Sequence, residues 1–112
     1  MRHMRVIGGT ARGRRLATFS GSNIRPTTDR VREALFSILY SRTGSLEGLR
    51  VLDVFAGSGA LGIEALSRGA AAAWFIDSAA QARRTIGENL QRCGFTAKAR
   101  ILEADVLKAL QG

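Results

Sequence analysis

The stretch Arg50 to Gly69, RVLDVFAGSGALGIEALSRG, decides the fold. It begins with an apolar strand over residues 51–55, passes through a glycine turn over residues 56–59, and continues into a helix that ends near Gly69. Glycines at positions 57, 59 and 62 let the backbone approach a ligand closely, because no Cβ stands in the way. Free N–H groups at the start of the helix would face that ligand. This spacing is weak evidence by itself, but a position between a strand and a helix is the context that nucleotide binding requires.

An acidic residue inside the strand, Asp53, narrows the choice of ligand. A dinucleotide would place its pyrophosphate at this turn, and a carboxylate beside it would repel the phosphates. A ligand with a cationic amino acid end would be attracted to the same carboxylate. The turn is therefore predicted to bind S-adenosylmethionine, and a half-domain of a nicotinamide dehydrogenase is the rival interpretation.

A second acid, Asp77, ends the next apolar segment. Residues 71–77, AAAWFID, predict a buried strand of a parallel sheet that is covered on both faces. An acid at this strand end can accept hydrogen bonds from both ribose hydroxyls of an adenosine. The alternative is that Asp77 caps the helix predicted over residues 79–93, which stops at Gly94.

A third short strand over residues 100–103 precedes Asp105 and Val106. Asp105 can accept a hydrogen bond from the exocyclic amine of an adenine, and Val106 can shield the ring. Equally, Asp105 can cap a final helical turn over residues 106–110.

The basic charge lies before the glycine turn. The net charge is +8, and residues 1–50 hold ten arginines against three acids, whereas residues 51–112 hold seven basic residues against six acids. Residues 5–19 predict a two-stranded hairpin with glycines at its turn. Arginine forks match phosphate geometry, so the hairpin suits a ribose-phosphate backbone, although a flexible basic arm or a solvated face is the plainer alternative. The candidate RNA contacts are Arg5, Arg12, Arg14, Arg15, Arg25 and Arg30.

A helix is predicted to follow Pro26. The proline disfavours helical geometry in the residue before it, and Thr27 or Thr28 can cap the helix. Arg32 lies off the apolar stripe of this helix, and Phe36 widens it. The stripe is expected to face the core and consists of Val31, Ala34, Leu35, Ile38 and Leu39.

The composition sets the broad class. At 112 residues the chain forms one domain at most, and its 46% hydrophobic and 23% charged residues are typical of a soluble globular protein. No apolar run approaches the length of a membrane span. The single Cys93 cannot form an intrachain disulfide, so a reducing cytoplasm is the default location, and no metal site is predicted.

Three segments in order resemble the bacterial small-subunit ribosomal RNA guanine-N2 methyltransferases of the RsmD type. The first combines residues 5–9, RVIGG, with residues 13–16, GRRL; the others are residues 25–36, RPTTDRVREALF, and residues 53–62, DVFAGSGALG. The resemblance covers nearly everything from Met4 to Leu110.

The resemblance implies a Rossmann-like class I methyltransferase fold of the α/β class with S-adenosylmethionine as methyl donor. About three parallel strands would follow a basic arm over residues 1–24, and residues 25–112 would form the first part of the methyltransferase domain. Ribosomal RNA or the small-subunit particle is the implied partner. The methionine end would lie near Asp53 and the glycine turn, the ribose at Asp77 and the adenine at Asp105. The implied cofactor contacts are Asp53, Phe55, Ala56, Gly57, Ser58, Gly59, Asp77, Asp105 and Val106.

The sequence also departs from the family pattern. The family usually has Glu where Asp77 stands, and Asp can do the same work with a shorter reach. The family also carries an Asn/Asp-Pro-Pro-Tyr/Phe motif, whose polar side chain and backbone carbonyl accept hydrogen bonds from the target amine and whose aromatic ring stacks on the base. The only proline here is Pro26, so the motif is absent and no catalytic residue can be named.

We therefore expect this chain to be the cofactor-binding N-terminal half of an RNA methyltransferase, inactive by itself. The strand over residues 51–55 would be an exposed edge that favours self-association. The alternative is a non-catalytic RNA- or cofactor-binding fragment. Methylation of DNA within the same fold also stays open, since the missing motif helps to set the target.

Overall fold

The computed structural model describes residues 4–18, 28–54 and 56–103. A short antiparallel hairpin comes first, and a parallel sheet with alternating helices follows. In chain order the elements are β1 (Met4–Arg5), β2 (Arg15–Leu16), α1 (Asp29–Thr43), β3 (Arg50–Val54), α2 (Ala60–Ser67), β4 (Ala72–Ile76), α3 (Ala80–Cys93), a 3₁₀ turn (Thr96–Lys98) and β5 (Ala99–Leu102).

The parallel sheet has the strand order β3-β4-β5. Its register places Asp53 beside Phe75, and Phe75 beside Ile101, so these three side chains share one face. Helices α2 and α3 connect the strands and contact the sheet. This alternation of strand and helix confirms the predicted α/β class, with the glycine turn joining β3 to α2.

Close packing of α2 on the sheet depends on the third glycine of the motif. A Cβ added to Gly62 would stand 2.4 Å from Cε1 of the Phe75 ring, inside van der Waals contact. On the same face, a Cβ on Gly87 of α3 would lie 3.8 Å from Cδ1 of Ile101. Both helices therefore lie against this face, and Gly62 is required for helix packing rather than for ligand contact.

The expectation that both faces of the sheet are covered is wrong for the part of the chain described. Leu52 and Leu102 point away from α2 and α3 and are 52% and 44% exposed. Between them, Trp74 is only half-buried. The second face of the sheet thus keeps apolar side chains in contact with water.

The predicted inward face of α1 is correct at Phe36, which is buried, and at Leu39, which packs against the core, but wrong for much of the stripe. The N-cap is Thr28, whose Oγ1 accepts a hydrogen bond from Val31 N at 3.2 Å. However, Val31 and Ile38 of the predicted stripe are more than half exposed, whereas Arg32 and Phe36 are buried. In this orientation the buried Arg32 guanidinium pairs with Asp29 of the same helix and reaches the carboxylate of Glu64 on α2.

The basic hairpin packs into the same core as the sheet. Val6 and Leu16 are almost fully buried, and both belong to one apolar cluster with Ile63 of α2 and Leu90 of α3. The hairpin is therefore a docked element and not a flexible arm. None of the helices within the described ranges is long and apolar enough to cross a membrane.

Candidate functional site

The glycine turn is packed on one side and open on the other. Gly57 and Gly59 have φ values of 59° and 84°, which other residues rarely adopt. A Cβ on Gly59 would meet Ile86 of α3 at 3.3 Å, so this glycine faces the protein. Within the part of the chain that the structure describes, a Cβ on Gly57 would have nothing within 4 Å, so this glycine lines the open side where a ligand can approach.

Asp53 lies buried beneath the turn. Its side chain is on the face covered by α2, and its Oδ2 accepts a hydrogen bond from Gly62 N at 3.0 Å. Burial raises the pKa of this carboxyl to about 6; the Gly62 hydrogen bond opposes the rise, and the nearby charge of Asp77 adds to it. A cationic group beside Asp53 would reduce the free-energy cost of ionising this buried carboxyl. The amino group of S-adenosylmethionine would be such a cation.

Asp77 lies at the carboxyl end of β4 and holds the turn from the other side. Its Oδ2 accepts from Gly57 N at 3.0 Å, and its Oδ1 accepts from Ala79 N at 2.9 Å. The N-cap residue of α3 is Ala79, and no side chain makes a capping hydrogen bond to this helix. Asp77 accepts from the backbone N–H of Ala79 itself, one residue before the helix begins, so it does not cap α3. A carboxylate has about four lone-pair sites, so Asp77 retains capacity for two further donors, such as ribose hydroxyls.

These groups meet at the carboxyl edge of neighbouring parallel strands, where α/β sheets bind their ligands. Two backbone hydrogen bonds connect the acids to this segment. The N–H of Gly57 in the turn donates to Asp77, and the N–H of Gly62 in the following helix donates to Asp53. Ala56 is buried at the start of this turn. Three predicted cofactor contacts, namely Phe55, Asp105 and Val106, lie outside the described residues. The residues present thus fit a ligand with a cationic end and a diol.

Five of the six predicted RNA contacts lie on the hairpin or at the start of α1. Arg12, Arg15 and Arg30 are exposed. Arg5 is exposed and lies 3.5 Å from the Asp29 carboxylate, and Arg14 donates to the Arg92 carbonyl at 3.2 Å. The last predicted contact, Arg25, lies outside the described residues.

Sequence reasoning missed the side chain that fixes the hairpin to α2, Glu64. Its carboxylate is fully buried and accepts from Ile7 N and Gly8 N, both at 2.9 Å. Arg68 Nε donates to Glu64 Oε2 at 2.8 Å, and Arg32 Nη1 lies 3.4 Å from Glu64 Oε1. The sequence pattern could have predicted this burial, because Glu64 lies in a helix that is apolar on all sides and is therefore surrounded by protein.

The end of α2 holds the hairpin turn in a second place. Thr10 N donates to the Ser67 carbonyl at 2.7 Å, and Ala11 N donates to Ser67 Oγ at 2.9 Å. Gly9 is essential here, because a Cβ on it would lie 1.8 Å from the Ser67 carbonyl oxygen. The arginines of the hairpin are therefore presented from a rigid base on the helix that follows the glycine turn.

A third residue that the sequence did not reveal is Asn89 of α3. This side chain is fully buried and makes three hydrogen bonds. Its Oδ1 accepts from Ala17 N at 2.6 Å, while its Nδ2 donates to the carbonyls of Ala17 at 2.9 Å and Ser58 at 2.8 Å. It thereby links the end of the hairpin to the centre of the glycine turn.

Comparison with known proteins identifies relatives that match this chain over part of their own length. A family model described as "Conserved hypothetical protein 95" matches residues 4–112. YlbH of Bacillus subtilis (strain 168), provisionally named an rRNA methyltransferase, is 43% identical over 107 residues, which make up 96% of this chain and 56% of that protein. Ribosomal RNA small subunit methyltransferase D of Escherichia coli (strain K12) is 53% identical over 74 residues, 66% of this chain and 36% of that protein.

Solved structures agree with this result. The Escherichia coli protein yhhF, provisionally named a methyltransferase, superposes with a TM-score of 0.80 at 38% identity, covering 97% of this chain and 56% of that one. A hypothetical protein of Thermus thermophilus gives a TM-score of 0.78 at 39% identity, covering 96% and 59% of the two chains. The chain thus spans little more than half the length of these structures, and its described residues form part of the class I S-adenosylmethionine-dependent methyltransferase fold. It belongs to the Conserved hypothetical protein 95 family, the RsmD-type family that its three motifs resemble.

Proposed function

We propose that this chain is the S-adenosylmethionine-binding and RNA-contacting part of an RNA methyltransferase. The observation that carries the proposal is the meeting of Asp53, the open glycine turn and Asp77 at one edge of the sheet. Asp53 would pair with the cationic amino group, Gly57 would lie against the donor, and Asp77 would accept the ribose hydroxyls. The adenine contact would come from Asp105 and Val106.

The names of the relatives support ribosomal RNA of the small subunit as the substrate. We infer further that the methylated atom is N2 of guanine, on the strength of the RsmD-type motifs. The donor supplies an electrophilic methyl group when bound. Catalysis would then consist mainly of holding the guanine amine in line with that methyl group, and the amine would lose its proton after attack. Such an enzyme would act in the cytoplasm.

In this proposal the 112-residue chain binds both ligands and transfers no methyl group by itself. Its sequence contains a single proline, so it has no Asn/Asp-Pro-Pro-Tyr/Phe segment that would hold the amine. Residues 1–24 would act as the RNA-binding arm, and residues 25–112 would hold the donor.

Calorimetric titration of the chain with S-adenosylhomocysteine, run in parallel with NAD, tests the cofactor assignment. We expect binding of S-adenosylhomocysteine alone, and binding of NAD alone would reverse the assignment. Radiolabelled methyl transfer to small-subunit ribosomal RNA tests the second part. Transfer by the isolated chain would show that the amine-positioning group lies within these residues after all.

Self-association is a second proposal, carried by the open edge of the sheet. Among the described strands β3 pairs only with β4, and its Leu52 is 52% exposed. An unpaired apolar edge tends to pair with another chain. Light scattering should detect dimers or larger species of the purified chain, and a stable monomer at high concentration would contradict this idea.

A further inference from the structure

We propose that Asn89 is a positioning residue that makes RNA binding and donor binding cooperative. Its side chain joins the basic hairpin to the glycine turn, so each of these elements is held in place by the other. This inference rests on the proposed function, because it assigns RNA to the hairpin and the methyl donor to the turn.

The first step is the geometry of the Asn89 amide. A side-chain amide has one acceptor oxygen and two N–H donors in a single plane. In this structure all of them are used: the oxygen accepts from Ala17 N, and the two donors point at the carbonyls of Ala17 and Ser58. One rigid group therefore fixes the backbone that follows β2 and the backbone at the centre of the turn together.

The second step is burial. Asn89 is 0% exposed, so water cannot replace a partner that moves away. Displacing the hairpin would leave the amide with unpaired polar atoms, and displacing the turn would do the same. The docked hairpin and the observed shape of the turn consequently favour each other.

The third step is that the same turn has further contacts on its protein side. Ser58 Oγ donates to the Met4 sulfur at 3.5 Å, which is another link between the hairpin and the turn. The next residue towards the open side, Gly57, donates to Asp77, the proposed ribose acceptor. Movement of the hairpin would thus reach the donor site through two adjacent residues of the turn.

The expected consequence is reciprocal cooperativity. RNA that holds the hairpin in its docked position should increase the affinity for S-adenosylhomocysteine by at least about fivefold, the lower end of typical coupling between sites. By linkage, S-adenosylhomocysteine should increase the affinity for RNA by the same factor. A substitution at Asn89 should lower that factor towards one, whatever it does to each affinity separately, although the Met4–Ser58 contact would still join the hairpin to the turn.

The experiment measures both affinities, each with and without the other ligand, using S-adenosylhomocysteine and purified small-subunit ribosomal RNA. Asn89→Ala removes the link. Asn89→Asp retains the acceptor for Ala17 N but places its other carboxylate oxygen against the carbonyls of Ala17 and Ser58, so it should also weaken the cooperativity. Gln91→Ala is the matched control, because it removes an exposed amide from the same helix and should leave the factor unchanged.

A measurement on the unmodified chain keeps the inference testable if the variants do not fold. Saturation with S-adenosylhomocysteine, without RNA, should slow hydrogen exchange of the Ala17 amide, which is bonded to Asn89 Oδ1. Independent binding of the two ligands by the unmodified chain overturns the coupling and leaves the proposed function intact. Failure of S-adenosylhomocysteine to bind at all overturns the proposed function itself.

Discussion

Replacing Asp53 by asparagine should stabilise the protein at neutral pH and weaken donor binding. The amide oxygen of the introduced side chain can still accept the hydrogen bond that Gly62 N donates to Asp53 Oδ2, so the start of α2 keeps its anchor. The two side chains have nearly the same volume, so no cavity or overlap is introduced. What changes is the charge, which in the native chain is buried between β3 and α2.

The size of the stabilisation follows from the pKa of Asp53. Burial raises this pKa from 3.8 to about 6 in the folded chain, so between these values the folded state binds more protons than the unfolded state. Stability therefore falls as the pH rises through this window. The difference between these two pKa values corresponds to about 3 kcal/mol of destabilisation by the ionised Asp53, which is fully present above pH ~6 and absent below pH ~4. Asp53→Asn should recover up to that amount at pH 7.

Urea denaturation of both chains between pH 8 and pH 4 measures this effect. The gain in the free energy of unfolding should be largest at pH 7 to 8 and should shrink towards zero near pH 4. Glu33→Gln, which neutralises an exposed acid on α1, is the matched control and should change stability by no more than about 0.5 kcal/mol. A gain that does not vary with pH, or a loss of stability at pH 7, would refute the reasoning.

The same substitution tests why the charge is there. A buried ionised carboxylate lowers the free energy of unfolding only while the cationic ligand that would neutralise it is absent. Asp53→Asn should therefore lower the affinity for S-adenosylhomocysteine while raising stability. In the unmodified chain, affinity should fall as the pH drops through the Asp53 pKa of about 6, and the substituted chain should lack this dependence.

Three further predictions concern the fixed hairpin, the open turn and the arginines. Glu64→Gln should destabilise the chain by about 3 kcal/mol in urea, because it removes the buried carboxylate that pairs with Arg68 and with the Arg32 guanidinium, to which only the half-exposed Asp29 would remain as a charged partner among the described residues. Gly57→Ala should cost only about 1–2 kcal/mol, for its positive φ, yet abolish binding of S-adenosylhomocysteine by calorimetry, since the new methyl group enters the open side. The slope of log affinity for RNA against log salt is negative. Replacing Arg12 and Arg15 together by Gln should make it shallower by about 1.4, as expected for two lost contacts to single-stranded phosphates.

Much of the parallel sheet could be predicted from the sequence, because its signals are local. Short apolar runs marked the strands, and the spacing of the glycines located the turn between β3 and α2. Gly94 has the positive φ expected where α3 ends. Acids at strand ends were equally readable, since parallel strands bring their carboxyl ends to one edge.

The orientation of α1 could not be predicted in the same way. Its spacing marked Val31, Leu35 and Ile38 as the inward stripe, and these side chains are exposed in the described part of the structure. The inward residue is Arg32, which pairs with Asp29 at 2.7 Å and with Glu64 at 3.4 Å. A pattern of apolar residues along one helix cannot show that a buried carboxylate on another helix needs a charged partner.

The polar groups that sequence reasoning missed explain how this small domain keeps its turn in shape. Glu64 and Asn89 satisfy backbone groups of the hairpin that would otherwise be unpaired inside the protein. Each also belongs to a helix next to the glycine turn, so satisfying the hairpin fixes the turn as well. A hairpin that only had to present arginines would not need buried partners, since exposed arginines bind phosphate from any flexible segment. The cost of burying Glu64 and Asn89 makes sense if the position of the hairpin matters to the turn, and that relation is what the cooperative binding of RNA and donor would measure.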